Sequence, residues 1–176
     1  MNCTGGPSGL STGCGRPVKP ARGLNRKLTD KKALTKRTAI TFPSDRELIK
    51  RAQIARKSAH APYSRFQVGS ALLAADGRVF TGCNIENATY SLTMCAERVA
   101  IFKAASEGVR EILKVVIVAD TDTPTPPCGC CRQMIWEFAS PQTEVILANL
   151  SGQVEKFKID TLFPNSFDAT FLPEVV

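Results

Sequence analysis

Two short clusters of residues carry side chains that could do chemistry together. They are Cys-Ala-Glu at residues 95–97 and Pro-Cys-Gly-Cys-Cys at residues 127–131. Cys95 in the first cluster and Cys128 and Cys131 in the second could close around one zinc ion, because the i, i+3 spacing puts the last two on one helix face. Zinc with three protein ligands keeps its fourth position for water, as catalytic sites do. We therefore expect a catalytic zinc site, with a closed structural site as the alternative.

Glu97 follows the first predicted ligand by two residues and therefore projects from the helix in a different direction. A carboxylate that lies beside zinc-bound water without binding the metal can take the proton of that water and deliver it to a substrate nitrogen. An isolated glutamate on a helix is usually a solvated side chain. The neighbouring ligand set favours a catalytic role for Glu97.

Two arginines adjoin the predicted metal site. Three thiolates and one Zn²⁺ carry a net charge of −1, which opposes the formation of hydroxide on the metal. Arg98 could donate hydrogen bonds to the sulfurs and draw off part of this charge, with an ordinary surface arginine as the alternative. Arg132, which follows Cys131, could share this role.

Helix and strand patterns alternate from Ser44 onward, and both cysteine clusters fall where a helix is expected to begin. The partial positive charge of a helix N-terminus stabilises thiolates. The predicted helices are residues 44 to about 60, about 93–107 and 128 to about 138. The predicted strands are residues 66–75, 78–83, 113–119, 144–148 and 154–159. This order predicts an α/β layered domain with right-handed crossovers, in which the first two and the last two strands pair antiparallel.

The positive charge of the chain is concentrated near its N-terminus. The net charge is +7, yet residues 1–44 hold nine Lys or Arg against one acid, and the other 132 residues hold fourteen basic and fifteen acidic side chains. Residues 1–44 are poor in large apolar groups, so we expect a disordered basic extension before a catalytic domain at residues 45–176. An organelle transit peptide is the alternative. A nucleic-acid partner is not expected, because the domain is nearly neutral.

The seven cysteines predict a cytoplasmic protein rather than a disulfide framework. The chain shows no secretory signal and no apolar run of the roughly 20 residues that span a membrane. We expect Cys83 to be a small buried residue, and Cys130 to serve packing because adjacent cysteines seldom both bind one metal. His60, the only histidine, excludes a histidine-rich metal site and is expected at the surface or at a helix end.

Several motifs in a fixed order resemble those of the cytidine deaminases, specifically the small homotetrameric kind with three cysteine ligands. They are Ala-Pro-Tyr-Ser-Arg-Phe-Gln-Val-Gly at 61–69, Gly-Cys-Asn-Ile-Glu-Asn-Ala at 82–88, Cys-Ala-Glu-Arg at 95–98 and Pro-Cys-Gly-Cys-Cys-Arg-Gln at 127–133. The similarity runs from about residue 45 to residue 167. It implies a three-layer fold with a mixed five-stranded sheet flanked by helices. The chain departs from the family at Cys130, where a small residue such as alanine is usual.

The resemblance also implies a role for each site residue. Cys95, Cys128 and Cys131 would bind one zinc ion per subunit, zinc-bound hydroxide would attack C4 of cytosine, and Glu97 would protonate N3 before ammonia leaves. The implied substrate contacts are Asn84 and Glu86 to the ribose 3′-hydroxyl, Phe66 to the base, the main-chain N–H of Ala96 to the base carbonyl, and Phe167 from a neighbouring subunit of a homotetramer. The expected function is the deamination of free cytidine and deoxycytidine in pyrimidine salvage.

Three other functions compete with this one. A deaminase that edits polynucleotides would need a basic groove, which the near-neutral domain and the Asn84 and Glu86 pair argue against. An enzyme that deaminates an aminoacyl-nucleoside antibiotic shares the zinc motif but not the acidic residue at position 86. A non-catalytic zinc-binding scaffold would have no reason to keep Glu97.

Overall fold

The structure is a computed structural model that describes residues 41–173. The predicted disorder of the basic extension and the alternative of a transit peptide fall almost wholly on residues 1–40 and lie outside the described residues. The helices are α1 (Asp45–Arg56), α2 (Ala96–Ser106), α3 (Gly129–Phe138) and α4 (Ile159–Leu162). The strands are β1 (Val68–Ala74), β2 (Val79–Cys83), β3 (Ile112–Ala119), β4 (Ala139–Asn149) and β5 (Val154–Lys158).

The five strands form one mixed sheet in the order β2-β1-β3-β4-β5. Strands β3 and β4 pair parallel, and the other three pairs are antiparallel. Because β1 lies antiparallel between β2 and β3, these two strands run in the same direction as β4. Helices α2 and α3 are therefore crossovers between parallel strands, and both begin at the same edge of the sheet. The predicted mixed five-stranded sheet and its antiparallel end pairs are confirmed.

The sheet is covered on both faces, which gives the three layers that the resemblance implies. Alternate residues of a strand point to opposite faces, so Leu72 packs with α2 and α3 while Leu73 packs with α1. The α1 side is built around Leu48 and Ala52, and Ile117 belongs to the core on the opposite side. This two-sided burial explains why the sequences of β1 and β3 are largely apolar, with Ser70 and Lys114 as their polar residues.

Several element boundaries differ from the sequence prediction. Helix α1 ends at Arg56 rather than near His60, and α2 begins at Ala96 rather than near Thr93. Strand β4 begins at Ala139, directly after α3, and its parallel register with β3 shifts between Ile112 and Lys114. The short α4 and two 3₁₀ turns were not predicted, since periodicity over three or four residues is too short to detect.

A network of charged groups joins the first turn of α1 to the sheet. The Asp45 carboxylate accepts from Lys114 Nζ at 2.7 Å and also from Lys156 Nζ. Lys114 also pairs with Glu144 at 2.9 Å. Hydrogen bonds from Lys114 and Lys156 hold the pKa of Asp45 below its ordinary value of 3.8. The folded state therefore favours the charged form of this carboxyl group.

Replacing Asp45 by asparagine should lower the free energy of unfolding by about 1 kcal/mol at pH 7, because two ammonium groups lose their shared partner. The folded pKa of Asp45 is depressed, so this stabilisation is present above about pH 4 and is lost as the pH falls through the folded pKa. Urea unfolding of wild type and Asp45→Asn at pH 7 and pH 3 measures both values. Glu47→Gln, which breaks an exposed pair with Arg51 in α1, is the control and should cost about 0.5 kcal/mol or less. An Asp45→Asn deficit of equal size at both pH values would contradict this assignment.

Candidate active site

Three cysteine sulfurs meet where helices α2 and α3 begin. Cys95 and Cys128 are the N-cap residues of these helices, neither side chain makes a capping hydrogen bond, and Cys131 follows in the first turn of α3. The three Sγ atoms all lie within 4.8 Å of one another. Tetrahedral zinc with Zn–S bonds of about 2.3 Å needs sulfurs roughly 3.8 Å apart, so small side-chain adjustments close the cluster around the ion. The donor set and its geometry fit zinc.

The close approach of β2 to α2 positions the first of these sulfurs. A Cβ atom added at Gly82 would lie 2.3 Å from the carbonyl oxygen of Ala96 and 2.6 Å from the amide nitrogen of Ala100. No side chain fits between the strand and the helix at this point. Gly82 therefore lets the first turn of α2, with Cys95 at its cap, lie directly on the sheet.

The environment favours a thiolate at Cys95. The Cys131 thiol and the Arg98 guanidinium both donate to its sulfur, and they lower the pKa of Cys95 to about 5. The donated proton stays on Cys131, whose pKa is raised by this hydrogen bond and by burial. Zinc binding requires thiolates and releases such protons. The surroundings of Cys95 thus favour the thiolate form that zinc binding requires.

The two arginines beside the cluster make different contacts. Arg98 Nη2 lies 3.6 Å from Cys95 Sγ and 3.1 Å from the carbonyl oxygen of Thr93, where it can offset thiolate charge. Arg132 instead donates to two main-chain carbonyls, those of Pro127 at 2.9 Å and Leu162 at 2.6 Å. A direct bond from Arg132 to a sulfur is not among its contacts, and its predicted role in charge compensation stays a prediction.

Glu97 lies beside the sulfurs in a cavity of about 220 Å³. Its side chain is buried, at 5% exposure, and burial raises the pKa of Glu97. A carboxyl group with a raised pKa can both accept and donate a proton near neutral pH. The residues that line this cavity are Phe66, Val68, Asn84, Thr93, Met94, Cys95, Ala96, Glu97, Ile117, Thr125, Pro126 and Cys128.

Three of the predicted substrate-binding residues, Phe66, Asn84 and Ala96, line the cavity together with Glu97. The Asn84 side chain is held in place on both sides: Oδ1 accepts from the Val68 amide and Nδ2 donates to the Phe66 carbonyl, each at 2.8 Å. Ala96 is the first residue of α2, where main-chain N–H groups lack partners within the helix. The structure therefore brings these three residues to the predicted catalytic group.

Glu86 lies in an adjoining cavity of about 390 Å³, which shares Thr93 with the first. Its carboxylate accepts from the amides of Tyr63 at 3.0 Å and Ser64 at 3.2 Å and from the Ser64 hydroxyl. These bonds, led by that of the Ser64 hydroxyl, lower the pKa of Glu86 and keep it charged. Ser64 and Thr93 were not singled out from the sequence, because their role depends on which loops meet here.

Phe167 lines neither of these two cavities. The residue is 56% exposed, and its ring stacks on that of Phe171 with the ring centroids 5.7 Å apart. Its carbonyl oxygen accepts from Gln133 Nε2 at 2.9 Å. The predicted contact of Phe167 with a neighbouring active site stays a prediction.

Cys130, Cys83 and His60 lie outside the sulfur cluster. Cys130 is exposed, so the prediction that it serves packing is wrong: its position in the first turn of α3 points it away from the face that carries Cys131. Cys83 is half-buried rather than buried. His60 is exposed, as expected, and its main chain bonds to Asn84 and Glu86.

A mixed sheet whose crossover helices begin with three thiols and a buried carboxylate defines the class of zinc-dependent deaminases. The comparisons with known proteins agree with this class. The chain matches the family model for the cytidine and deoxycytidylate deaminase zinc-binding region over residues 43–148. Because the match spans more than half of the chain, the protein belongs to this family and is an enzyme of the hydrolase class.

Individual relatives cover most of the described domain. A cytidine deaminase of Halalkalibacterium halodurans is 53% identical over 122 residues, which cover 69% of this chain and 92% of the relative. One of Sporosarcina psychrophila is 50% identical over 121 residues, covering 69% and 89%. The crystal structure of cytidine deaminase from Burkholderia pseudomallei superposes with a TM-score of 0.69 at 44% identity, covering 71% of this chain and 100% of that one.

Replacing Gly82 by alanine should lower both stability and zinc affinity, since the new methyl group must push α2 away from β2. We expect the free energy of unfolding to fall by about 1–3 kcal/mol. Denaturant unfolding and competition with a zinc chelator measure the two effects. Gly129→Ala is the matched control, because a Cβ at Gly129 meets nothing within 4 Å. This variant should keep the free energy of unfolding and the zinc affinity near the wild-type values. Unchanged zinc affinity in a destabilised Gly82→Ala would show that the contact serves folding alone.

Proposed function

We propose that this protein catalyses the hydrolytic deamination of free cytidine and deoxycytidine to uridine and deoxyuridine, with release of ammonia. The observation that carries this proposal is the buried Glu97 carboxyl group in one cavity with Cys95 and Cys128. The relatives named cytidine deaminase support the choice of substrate.

Cys95, Cys128 and Cys131 would hold one zinc ion per subunit, and the bound metal would supply the activation of a water molecule. Glu97 would accept the proton of the attacking water and deliver it to N3 of the base. The same carboxyl group would then take the proton of the new C4 hydroxyl group and pass it to the 4-amino group. The C4–N bond breaks as the C4 carbonyl forms, so that one water is consumed and one ammonia leaves. The burial that raises the pKa of Glu97 suits a group that must alternate between acid and base.

The surrounding residues would orient the nucleoside. Phe66 would pack against the base, and the main-chain N–H of Ala96 would donate to the base carbonyl. Asn84 and Glu86 would bind the ribose 3′-hydroxyl at the junction of the two cavities. Since this hydroxyl is present in both cytidine and deoxycytidine, the same contacts serve both substrates.

A free nucleoside fits the charge of the domain better than a polynucleotide, because residues 45–176 lack the basic surplus that binds phosphates. Such an activity would serve pyrimidine salvage.

A homotetramer would place the exposed Phe167 of one subunit over the site of another. Among the residues that the structure describes, no helix has the length and apolar character needed to cross a membrane. A cytoplasmic location stays a prediction.

The proposal is tested directly by replacing Glu97 with glutamine, which keeps the shape of the side chain but removes its proton-transfer function. We expect zinc to be retained and turnover of cytidine to fall by about 10²- to 10⁴-fold. Ultraviolet absorbance follows turnover, and metal analysis follows zinc. Glu137→Gln, at an exposed position of α3, should behave as wild type. Wild-type turnover in Glu97→Gln, or inactivity of zinc-loaded wild type towards both nucleosides, would refute the proposal.

Replacing Glu86 by glutamine tests the ribose contact. A hydrogen bond to a charged group contributes about 1.5–3 kcal/mol, so kcat/KM for cytidine and deoxycytidine should fall roughly 10- to 100-fold. The matched substrate control is 3′-deoxycytidine, which lacks the hydroxyl group and should be a poor substrate of both proteins. An equal loss of kcat/KM for all three nucleosides would mean that Glu86 only holds the loop at Tyr63 and Ser64.

A further inference from the structure

Arg132 lies directly after the zinc-ligand position Cys131 and holds two separate parts of the chain. Its Nε donates to the carbonyl of Pro127 at 2.9 Å, and its Nη1 donates to the carbonyl of Leu162 at 2.6 Å. Pro127 is the residue that precedes Cys128. Leu162 is the last residue of α4 and the first residue of what we term the C-terminal segment, residues 162–171. One side chain therefore connects the residue before the Cys128 position to the start of this segment.

A second bond ties the same segment to α3. Gln133 Nε2 donates to the carbonyl of Phe167 at 2.9 Å. The two residues that follow Cys131 thus hold both the start and the middle of the C-terminal segment. The exposed ring pair of Phe167 and Phe171 lies on this segment, so helix α3 sets the position of these rings.

The chemistry of the guanidinium group makes these two contacts interdependent. Its donors form a rigid planar fork, so a carbonyl bound at Nε and one bound at Nη1 are held at a nearly constant separation. A movement of Pro127 that accompanies rearrangement at Cys128 must either break one bond or carry Leu162 with it. Lysine, with a single flexible ammonium group, could not hold both carbonyls in this way.

We propose that Arg132 is a positioning residue that couples zinc binding at Cys128 and Cys131 to the position of the C-terminal segment. The coupling is reciprocal, because a segment that binds α3 better in the zinc-loaded state must in turn strengthen zinc binding. This inference depends on the proposed function only in taking zinc as the metal at the cysteine cluster. It assigns Arg132 a role other than the charge compensation predicted from its place in the sequence.

The test uses the full chain, with and without a zinc chelator, in two measurements. Competition with a chromogenic chelator gives the zinc affinity, and hydrogen–deuterium exchange detected by mass spectrometry gives the protection of residues 162–171. In wild type, removal of zinc should speed exchange in these residues. Arg132→Gln should lower zinc affinity roughly 10- to 100-fold, which is the usual cost of losing a group that orients metal ligands. It should also speed exchange in residues 162–171 of the zinc-loaded protein. Arg132→Lys should not restore either property.

Two further variants separate coupling from general destabilisation. Arg78 also donates to a main-chain carbonyl, that of Glu107 at 3.2 Å, but it joins the β1–β2 turn to the end of α2. Arg78→Gln should leave zinc affinity and exchange in residues 162–171 unchanged. Gln133→Ala keeps both hydrogen bonds of the Arg132 guanidinium group and should fold even if Arg132→Gln does not. It should speed exchange near Phe167 and lower zinc affinity by a smaller factor than Arg132→Gln.

The inference is overturned if Arg132→Gln binds zinc as tightly as wild type. If Arg132→Gln does not fold, the same result in Gln133→Ala overturns it. It is also overturned if chelation leaves exchange in residues 162–171 unchanged, or if Arg78→Gln weakens zinc binding equally. Failure of the proposed function has a different signature: a wild type that binds zinc and shows the coupling but deaminates neither nucleoside. A wild type that does not bind zinc would overturn both.

Discussion

Three sulfurs that can each carry a negative charge lie within 4.8 Å of one another, and the surrounding structure must stabilise that charge. The fold does so by bringing two helix N-termini to one sheet edge and by placing Arg98 against Cys95. Both helices begin at this edge because β1 lies antiparallel between two strands that run the same way. The close contact at Gly82 then sets the height of α2 above the sheet. The arrangement of strands and helices is thus directly connected to the metal chemistry.

The burial of Glu97 follows from the same geometry. A carboxyl group in the first turn of α2 is covered by the cavity wall, and the loss of solvent raises its pKa. This burial would be unfavourable for a purely structural glutamate. It is useful where the group must take up and release a proton beside activated water. The start of α2 therefore supplies both the buried carboxyl group and one of the three sulfurs, and the start of α3 supplies the other two.

Helix α3 has two functions in this structure. Its first turn carries Cys131, and the next two residues bind the C-terminal segment through the carbonyls of Leu162 and Phe167. These bonds are the contacts through which the coupling that we propose would link the sulfur cluster to the C-terminal segment. The side chains of Phe167 and Phe171 on that segment are exposed.

The candidate ligand types, the candidate acid and the order of helices and strands could all be predicted from the sequence, because motif spacing and hydrophobic periodicity are local properties of the chain. It also predicted the antiparallel end pairs, since short connections leave few other pairings. The folded structure was needed to show that Arg132 binds two carbonyls, that Cys130 faces solvent and that Glu86 lies in an adjoining cavity. These facts depend on which distant segments meet and on the direction in which a helix face points. Spacing along the chain does not contain that information.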